Sequence, residues 1–196
     1  YEIRLSLVGS EMCIRDSTGT ARGRVLKTLE GEDVRPTTDR VKEAIFSIIQ
    51  FELEGRRVLD LFAGSGQLGI EALSRGAAYA TFTDMSAESV DIVKKNLIST
   101  KLENNAEVIR TEAVTFLKGN RKKYDIVFMD PPYSKGLLQN TLPYVVKNVN
   151  DGGVIICEHP YGEEMPQTVG NFSIYRNYKY GKIGITVYRI SEEDDR

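Results

Sequence analysis

The sequence predicts an α/β fold, a mostly parallel sheet with helices on both faces. Three observations carry this expectation. From residue 57 onward short β-rich runs alternate with helical stretches; a glycine-rich loop joins the first of those runs to its helix; and two strand-like runs close the pattern around Gly181. With 196 residues the chain can bury one sizeable core but not two ordinary ones. A charged content of 28% and an aromatic content of 9% argue against disorder. No stretch reaches the roughly 18 consecutive apolar residues that a membrane span requires.

Taken in order, residues 1–17 (YEIRLSLVGSEMCIRDS) begin without Met and show neither a helical nor a strand period. The string GSEMCIRDS resembles a translated sequencing adaptor or cloning scar, so a non-native or disordered leader is expected there. One domain is expected over residues 18–190, followed by a solvated acidic tail over 191–196. Within the domain, residues 20–29 look like a short basic strand, ended by the turn-forming Glu30, Gly31, Glu32 and Asp33. Pro36, Thr37 and Thr38 are helix start signals, and Val41, Ala44, Ile45, Ile48 and Ile49 line one apolar helical face. The period then changes to short runs over 57–61 (RVLDL), 79–83 (YATFT), 106–110 (AEVIR), 124–129 (YDIVFM) and 154–158 (VIICE). Helical spacing separates them over 67–75, 87–99, 112–117 and 137–149. Residues 172–180 and 182–190 predict an antiparallel hairpin at one sheet edge.

The formal net charge is -2, but the excess acid lies at the ends. Residues 1–17 contribute -1 and residues 192–196 contribute -3, which leaves +2 between them and a mild lean toward polyanions. Cys13 and Cys157 are far apart in sequence and support neither a disulfide framework nor a zinc cluster, so no metal is expected and a reducing cytoplasm fits best. His159, the only histidine, has no second histidine or cysteine nearby and is a poor ligand.

The loop after the first run reads Asp60-Leu-Phe-Ala-Gly64-Ser-Gly66-Gln-Leu-Gly69. Glycines let the backbone approach a ligand closely, and the helix N-terminus behind them offers free N–H groups. Gly64, Gly66 and Gly69 satisfy the G-x-G-x-x-G spacing, and Asp84 ends the next run, where an acid can bind ribose hydroxyls. To this point NAD and S-adenosylmethionine fit equally. Asp60 favours the second, because a carboxylate there opposes a pyrophosphate and suits a ligand bearing ammonium and sulfonium charges.

Asp130-Pro131-Pro132-Tyr133 follows the apolar run IVFM and belongs on the same rim of the sheet. Each proline fixes its own φ and holds the preceding residue extended, so the turn is stiff. It can present the Asp130 carboxylate and the Pro131 carbonyl as two acceptors at fixed separation, with the Tyr133 ring beside them. Two acceptors on an exocyclic amine favour a more tetrahedral, more nucleophilic nitrogen, and the ring can stack on an extruded base.

The segments RPTTDRVKEAIF, DLFAGSGQLGIEALSRGA and FMDPPY, in this order and spacing, resemble the class I S-adenosylmethionine-dependent methyltransferases, and within them the RsmD type, which methylates guanine N2 in small-subunit ribosomal RNA. The match covers nearly everything from Gly19 to Ile190. D-P-P-Y with a glycine loop is shared with DNA adenine enzymes, and the RPT-x-DRVKEA segment narrows the resemblance to the ribosomal family. It implies a Rossmann-like, seven-stranded sheet whose last strand runs antiparallel. It further implies that Asp60, Phe62, Gly64 and Gly66 line the methionine end of the cofactor, that Asp84 binds its ribose, and that Met85 packs on its adenine. Glu112 and Ala113 would meet the adenine amino edge, although the family usually has Asp in place of Glu112. Asp130, Pro131 and Tyr133 would be catalytic, and Arg22, Arg24 and Arg35 would contact RNA phosphates. The implied partner is ribosomal RNA within a small-subunit particle, met by a monomer without metal or membrane.

Three rivals remain at this stage. A DNA adenine-N6 methyltransferase would need a DNA-reading domain for which about 175 residues leave no room. A NAD-dependent oxidoreductase on the same loop lacks an obvious proton-transfer residue and leaves Asp60 unexplained. A non-catalytic RNA-binding module would keep the fold alone. The final runs carry Arg176, Lys179, Lys182 and Arg189 interleaved with Tyr175, Tyr178, Tyr180 and Tyr188, which suits either an RNA face or an ordinary half-buried strand pair.

Overall fold

The computed structural model describes residues 14–15, 19–21, 25–28, 39–133 and 136–190. Arg22, Arg24 and Arg35, most of the leader and the acidic tail lie outside the described residues. Near the start, Ile14–Arg15 (β1) pairs antiparallel with Val25–Leu26 (β2), so two residues of the segment set apart as leader belong to a small ribbon. Thr20 and Ala21, expected in a strand, form a turn instead; the backbone N–H of Thr20 donates to the Ser74 carbonyl and that of Ala21 to the Ser74 hydroxyl.

The helix Asp39–Ile48 (α1) is followed by alternating strands and helices: β3 Arg57–Asp60, α2 Gln67–Ser74, β4 Tyr79–Asp84, α3 Ala87–Thr100, β5 Ala106–Arg110, α4 Ala113–Gly119, β6 Tyr124–Met129 and α5 Leu137–Val145. The chain closes with β7 Val149–Pro160, β8 Thr168–Val169, β9 Phe172–Tyr180 and β10 Ile183–Ile190. The sheet order is β5-β4-β3-β6-β7-β10-β9-β8, parallel from β5 to β7 and antiparallel beyond. The last strand is antiparallel as expected, and it inserts between β7 and β9. The count of seven is corrected to eight, because Thr168–Val169 folds back on Ser173 and Phe172 through the Gly170 turn. Two residues are too few to leave a period-two signature in a sequence.

Helix α5 also ends sooner than its apolar spacing suggests. Pro143 lies inside it and cannot donate to the preceding turn. The Asn148 side chain donates to the carbonyls of Tyr144 and Leu117, tying off both helices, and Val149 is already strand.

Strand alternation sorts the core into two layers. Val58, Phe82, Ile126, Phe128, Val154 and Ile156 pack on one face under α1, α2 and α3, with the Phe46 and Phe128 rings 5.8 Å apart. Leu59, Val127, Met129, Ile155 and Cys157 pack on the other under α4 and α5. Each fully buried aromatic or branched side chain in these layers contributes about 1.5–3 kcal/mol.

Candidate functional site at the carboxyl rim of the sheet

Alternation carries the first face out to its carboxyl rim. Two residues beyond Val58, Phe82, Phe128 and Ile156 come Asp60, Asp84, Asp130 and Glu158, one acid from each of β3, β4, β6 and β7 or the turn after it. Register staggers them: Asp60 pairs with Phe82 and Phe128, two residues short of Asp84 and Asp130, whereas Met129 pairs with Cys157, so Asp130 and Glu158 come next, side by side. Adjacent strands lie about 4.8 Å apart, so Asp130 and Glu158 are direct neighbours at the rim, and Asp60 is set back between the strands that lead to Asp84 and Asp130.

The loop between β3 and α2 is held to this rim by backbone. The Leu61 N–H donates to the Phe128 carbonyl, Ala63 N–H to Thr83 carbonyl, and the Thr83 hydroxyl to the Leu61 carbonyl. Asp84 accepts from the N–H groups of Gly64 (2.9 Å) and Ser86 (2.8 Å), which fixes the loop to the end of β4. Gly64 has φ of 54° and Gly66 of 79°, the left-handed region that glycine alone enters without strain. A Cβ built on Gly64 would meet nothing within 4 Å, so the backbone there fronts open space, whereas one on Gly69 would lie 2.3 Å from the Phe82 ring. The first two glycines therefore shape the loop, and the third lets α2 lie against β4.

Asp60 is buried and accepts a hydrogen bond from the Gly69 N–H at 2.9 Å. Burial pushes its carboxyl from the ordinary 3.8 up to about 7, against the Gly69 hydrogen bond and with help from Asp130 and Asp84. A buried acid poised near neutrality and surrounded by acids fits a cationic ligand and opposes a phosphate. Phe62 is half-buried against the second core layer, and Met85 is 67% exposed beside the rim. Glu112 caps α4: its two carboxyl oxygens accept from the N–H groups of Val114 (2.9 Å) and Thr115 (2.7 Å). Burial raises its carboxyl and these hydrogen bonds outweigh that, holding it below the usual range. Ala113 is buried behind it. The structure thus brings Asp60, Gly64, Gly66, Asp84, Met85, Glu112 and Ala113 to one side of the rim, with the Glu112 oxygens turned to their own helix.

On the other side the Asp130-Pro131-Pro132-Tyr133 turn leaves β6 with Pro131 buried and Pro132 and Tyr133 exposed. A narrow cleft opens here, walled by Pro131, Pro132, Tyr133, Glu158, His159 and Glu163. Sequence reading passed over Glu158; the available signal was an acid ending a β-rich run, as Asp84 ends another. His159 is structural: its ring lies within hydrogen-bond distance of the Thr186 hydroxyl and the Pro160 carbonyl, and packs where Gly184 leaves room.

The last strands form a mixed surface. Tyr188 is fully buried and donates to the Pro166 carbonyl, and Arg189 makes a two-pronged ion pair with Glu52 at 3.0 and 2.7 Å. Tyr175 remains exposed with the guanidinium groups of Arg176 and Arg189 over its ring, and Lys179 covers Tyr161. Among the described residues there is no group of three or more His, Cys, Asp or Glu able to hold a metal ion, and no helix long and apolar enough to cross a membrane.

Comparison with known proteins places this architecture. YlbH of Bacillus subtilis (strain 168) is 39% identical over 181 residues, covering 90% of this chain and 98% of the relative. The Escherichia coli (strain K12) protein named ribosomal RNA small subunit methyltransferase D is 36% identical over 178 residues, covering 90% of this chain and 89% of its own. The solved structure of yhhF from Escherichia coli superposes with a TM-score of 0.83 at 36% identity, covering 91% of this chain and 98% of that one. The family profile described as Conserved hypothetical protein 95 matches residues 14–189, and with relatives of this identity along nearly its whole length the chain belongs to that family, the RsmD family.

Proposed function

We propose that the protein transfers a methyl group from S-adenosylmethionine to the exocyclic N2 amine of a guanine in small-subunit ribosomal RNA. The observation that carries this reading is the Asp-Pro-Pro-Tyr turn leaving the strand next to the buried Asp60, two residues further out along the same rim, a base-amine site beside a cation site. The name of the Escherichia coli relative supports the choice of RNA.

The cofactor supplies an electrophilic methyl group on a sulfonium sulfur. Around it Asp60, Phe62, Gly64 and Gly66 hold the methionine end, with Asp60 giving up its proton to face the positive charge. Asp84 meets the ribose hydroxyls with the lone pairs its backbone contacts leave over, and Met85, Glu112 and Ala113 border the adenine. Open space at the Gly64 backbone admits a ligand, and the buried Asp60 carboxyl fits a cationic one better than a dinucleotide's pyrophosphate. Asp130 and the Pro131 carbonyl accept the two N2 hydrogens, which frees the nitrogen lone pair, and Asp130 receives the proton released as the N–C bond forms. Tyr133, exposed at the rim, stacks on the extruded base.

A domain of this size with a nearly balanced charge recognises a shaped ribonucleoprotein particle better than naked RNA, and acts as a monomer in the cytoplasm. Arg22, Arg24 and Arg35 contact RNA phosphates. Alanine at each of these three is expected to flatten the dependence of RNA affinity on salt by about one unit per lost contact; an unchanged slope removes them from the interface.

The test of the reading is transfer of labelled methyl from S-adenosylmethionine to unmodified small subunits, naked ribosomal RNA and DNA in parallel, with nucleoside analysis of the products. N2-methylguanosine from the ribosomal substrate is expected. N6-methyladenine from DNA would keep the chemistry and overturn the partner, and a protein stabilised against heat by NAD but not by S-adenosylhomocysteine would overturn the chemistry as well.

A further inference from the structure

Asp60, Asp84 and Asp130 all have roles in the proposed function, and Glu158, the fourth acid at the rim, has none. Glu158 ends the apolar run of β7, is 3% exposed, and follows Ile156 on the same face that carries Asp130 after Phe128. It also walls the narrow cleft together with Pro131, Pro132 and Tyr133, the residues assigned to the base. Pro131 and Glu158 line this cleft, and the register of β6 on β7 sets Asp130 beside Glu158, so three acceptor groups fall on neighbouring positions: the Pro131 carbonyl, the Asp130 carboxylate and, one strand over, the Glu158 carboxylate.

We infer that Glu158 reads the target base by accepting the N1–H of guanine while Asp130 and the Pro131 carbonyl hold the neighbouring N2 amine. Guanine presents three donor hydrogens in a row on its Watson–Crick edge, two on N2 and one on N1. Adenine presents its amine beside an N1 lone pair, which would point at a buried carboxylate. Rejection then comes from the repulsion and the lost hydrogen bond together, and sites that bond a specific N–H discriminate against analogues lacking it by about 10⁴-fold or more. The same turn that serves any base amine thus becomes selective for guanine through a residue 28 positions further along the chain, the separation that also divides the contacting Met129 and Cys157 sulfurs. Glu158 is a specificity residue: it touches the base edge, and the bonds made and broken in methyl transfer do not involve it.

The inference rests on the guanine-N2 reading, and the experiment separates the two. Once the modified position is mapped, small-subunit RNA is assembled by ligation with either guanine or 2-aminopurine at that position. 2-Aminopurine keeps the N2 amine and stacking surface and lacks only the N1 hydrogen and the O6 oxygen. An O6-methylguanine substrate, which also lacks the N1 hydrogen, controls for loss of the free O6. The wild-type enzyme is expected to methylate guanine at least about 100-fold more efficiently than either analogue. Glu158→Gln, whose amide can accept from guanine N1–H or donate to an N1 lone pair, is expected to narrow that ratio at least about tenfold, mainly by raising KM for guanine RNA and lowering it for 2-aminopurine RNA. Melting with S-adenosylhomocysteine confirms that the variant is folded. Equal use of guanine and 2-aminopurine by the wild type overturns the inference without any variant, as does a Glu158→Gln enzyme that loses activity on both substrates by the same factor. A wild type that methylates no guanine at all overturns the underlying reading instead.

Discussion

The two halves of the rim are built by different means. On the cofactor half, the β3 and β4 ends and the loop after β3 are cross-linked by backbone hydrogen bonds, and the acids accept from backbone N–H groups, Asp60 from Gly69 in α2 and Asp84 from Gly64 and Ser86. On the base half, a proline-stiffened turn holds an exposed aromatic ring against a narrow cleft, and Asp130 and Glu158 lie side by side in register. The first arrangement suits a small ligand of fixed shape, which the loop backbone can enclose. The second suits a base that must leave its own stack and be gripped by its edge and face. Binding the common cofactor and choosing the substrate are therefore separable, and changes in one half should leave the other largely intact.

The sharpest way to break the cofactor half is at its packing. A Cβ at Gly69 would lie 2.3 Å from the Phe82 ring, buried between α2 and β4, so Gly69→Ala is expected to cost about 1–3 kcal/mol or more of stability and to lower Tm by several degrees. Thermal unfolding checks this, and an unchanged Tm would mean that the helix can lift from the sheet freely. On the base half, Tyr133→Ala removes a stacking platform worth roughly 1–3 kcal/mol, so KM for RNA should rise about 5- to 100-fold while the Kd for S-adenosylhomocysteine stays put. A variant that loses cofactor affinity as well would show the halves to be coupled.

A subtler difference is written in protons. With Asp60 at about 7 in the folded protein and 3.8 as its ordinary value, the folded chain holds a proton between those limits that the unfolded chain has released. Its contribution to stability is therefore full below about pH 4 and declines as pH rises to about 7. A cationic cofactor needs the ionised form, so affinity for S-adenosylmethionine should climb by up to about tenfold per unit as pH rises toward 7 and level off above it, with a proton released on binding. Calorimetry in buffers of differing ionisation heat reads that proton directly. A flat profile would place the positive charge away from Asp60.

The two halves also differ in how far the sequence disclosed them. Asp60, Gly64, Gly66, Gly69 and Asp84 sit at spacings fixed by two consecutive strands and the loop and helix between them, so local periodicity sufficed to find them. Asp130 and Tyr133 were legible because prolines mark their turn. Glu158 was not, because its meaning comes from lying beside Asp130, and strand order is set by packing that no local window contains. Glu112 shows the opposite limit: its position at the rim was legible, but the capping geometry that turns its oxygens toward Val114 and Thr115 was not. The eighth strand escaped because β8 has only two residues, and the early end of α5 because the Asn148 side chain that ties it off also bonds Leu117, 31 residues away.

The division of labour between Asp60 and Asp130 is tested most directly by measuring cofactor Kd and single-turnover methyl transfer on small subunits for Asp60→Asn and Asp130→Asn side by side. Asp130→Asn should lower the transfer rate at least about 100-fold with Kd changed less than about threefold, since it removes the proton acceptor from the base. Asp60→Asn should raise Kd about tenfold or more and leave the rate at saturating cofactor within about threefold, since it removes a charge facing the ligand and keeps an acceptor for the Gly69 N–H. Two variants that lose affinity and rate together, in the same proportion, would contradict the separation on which this account of the site depends.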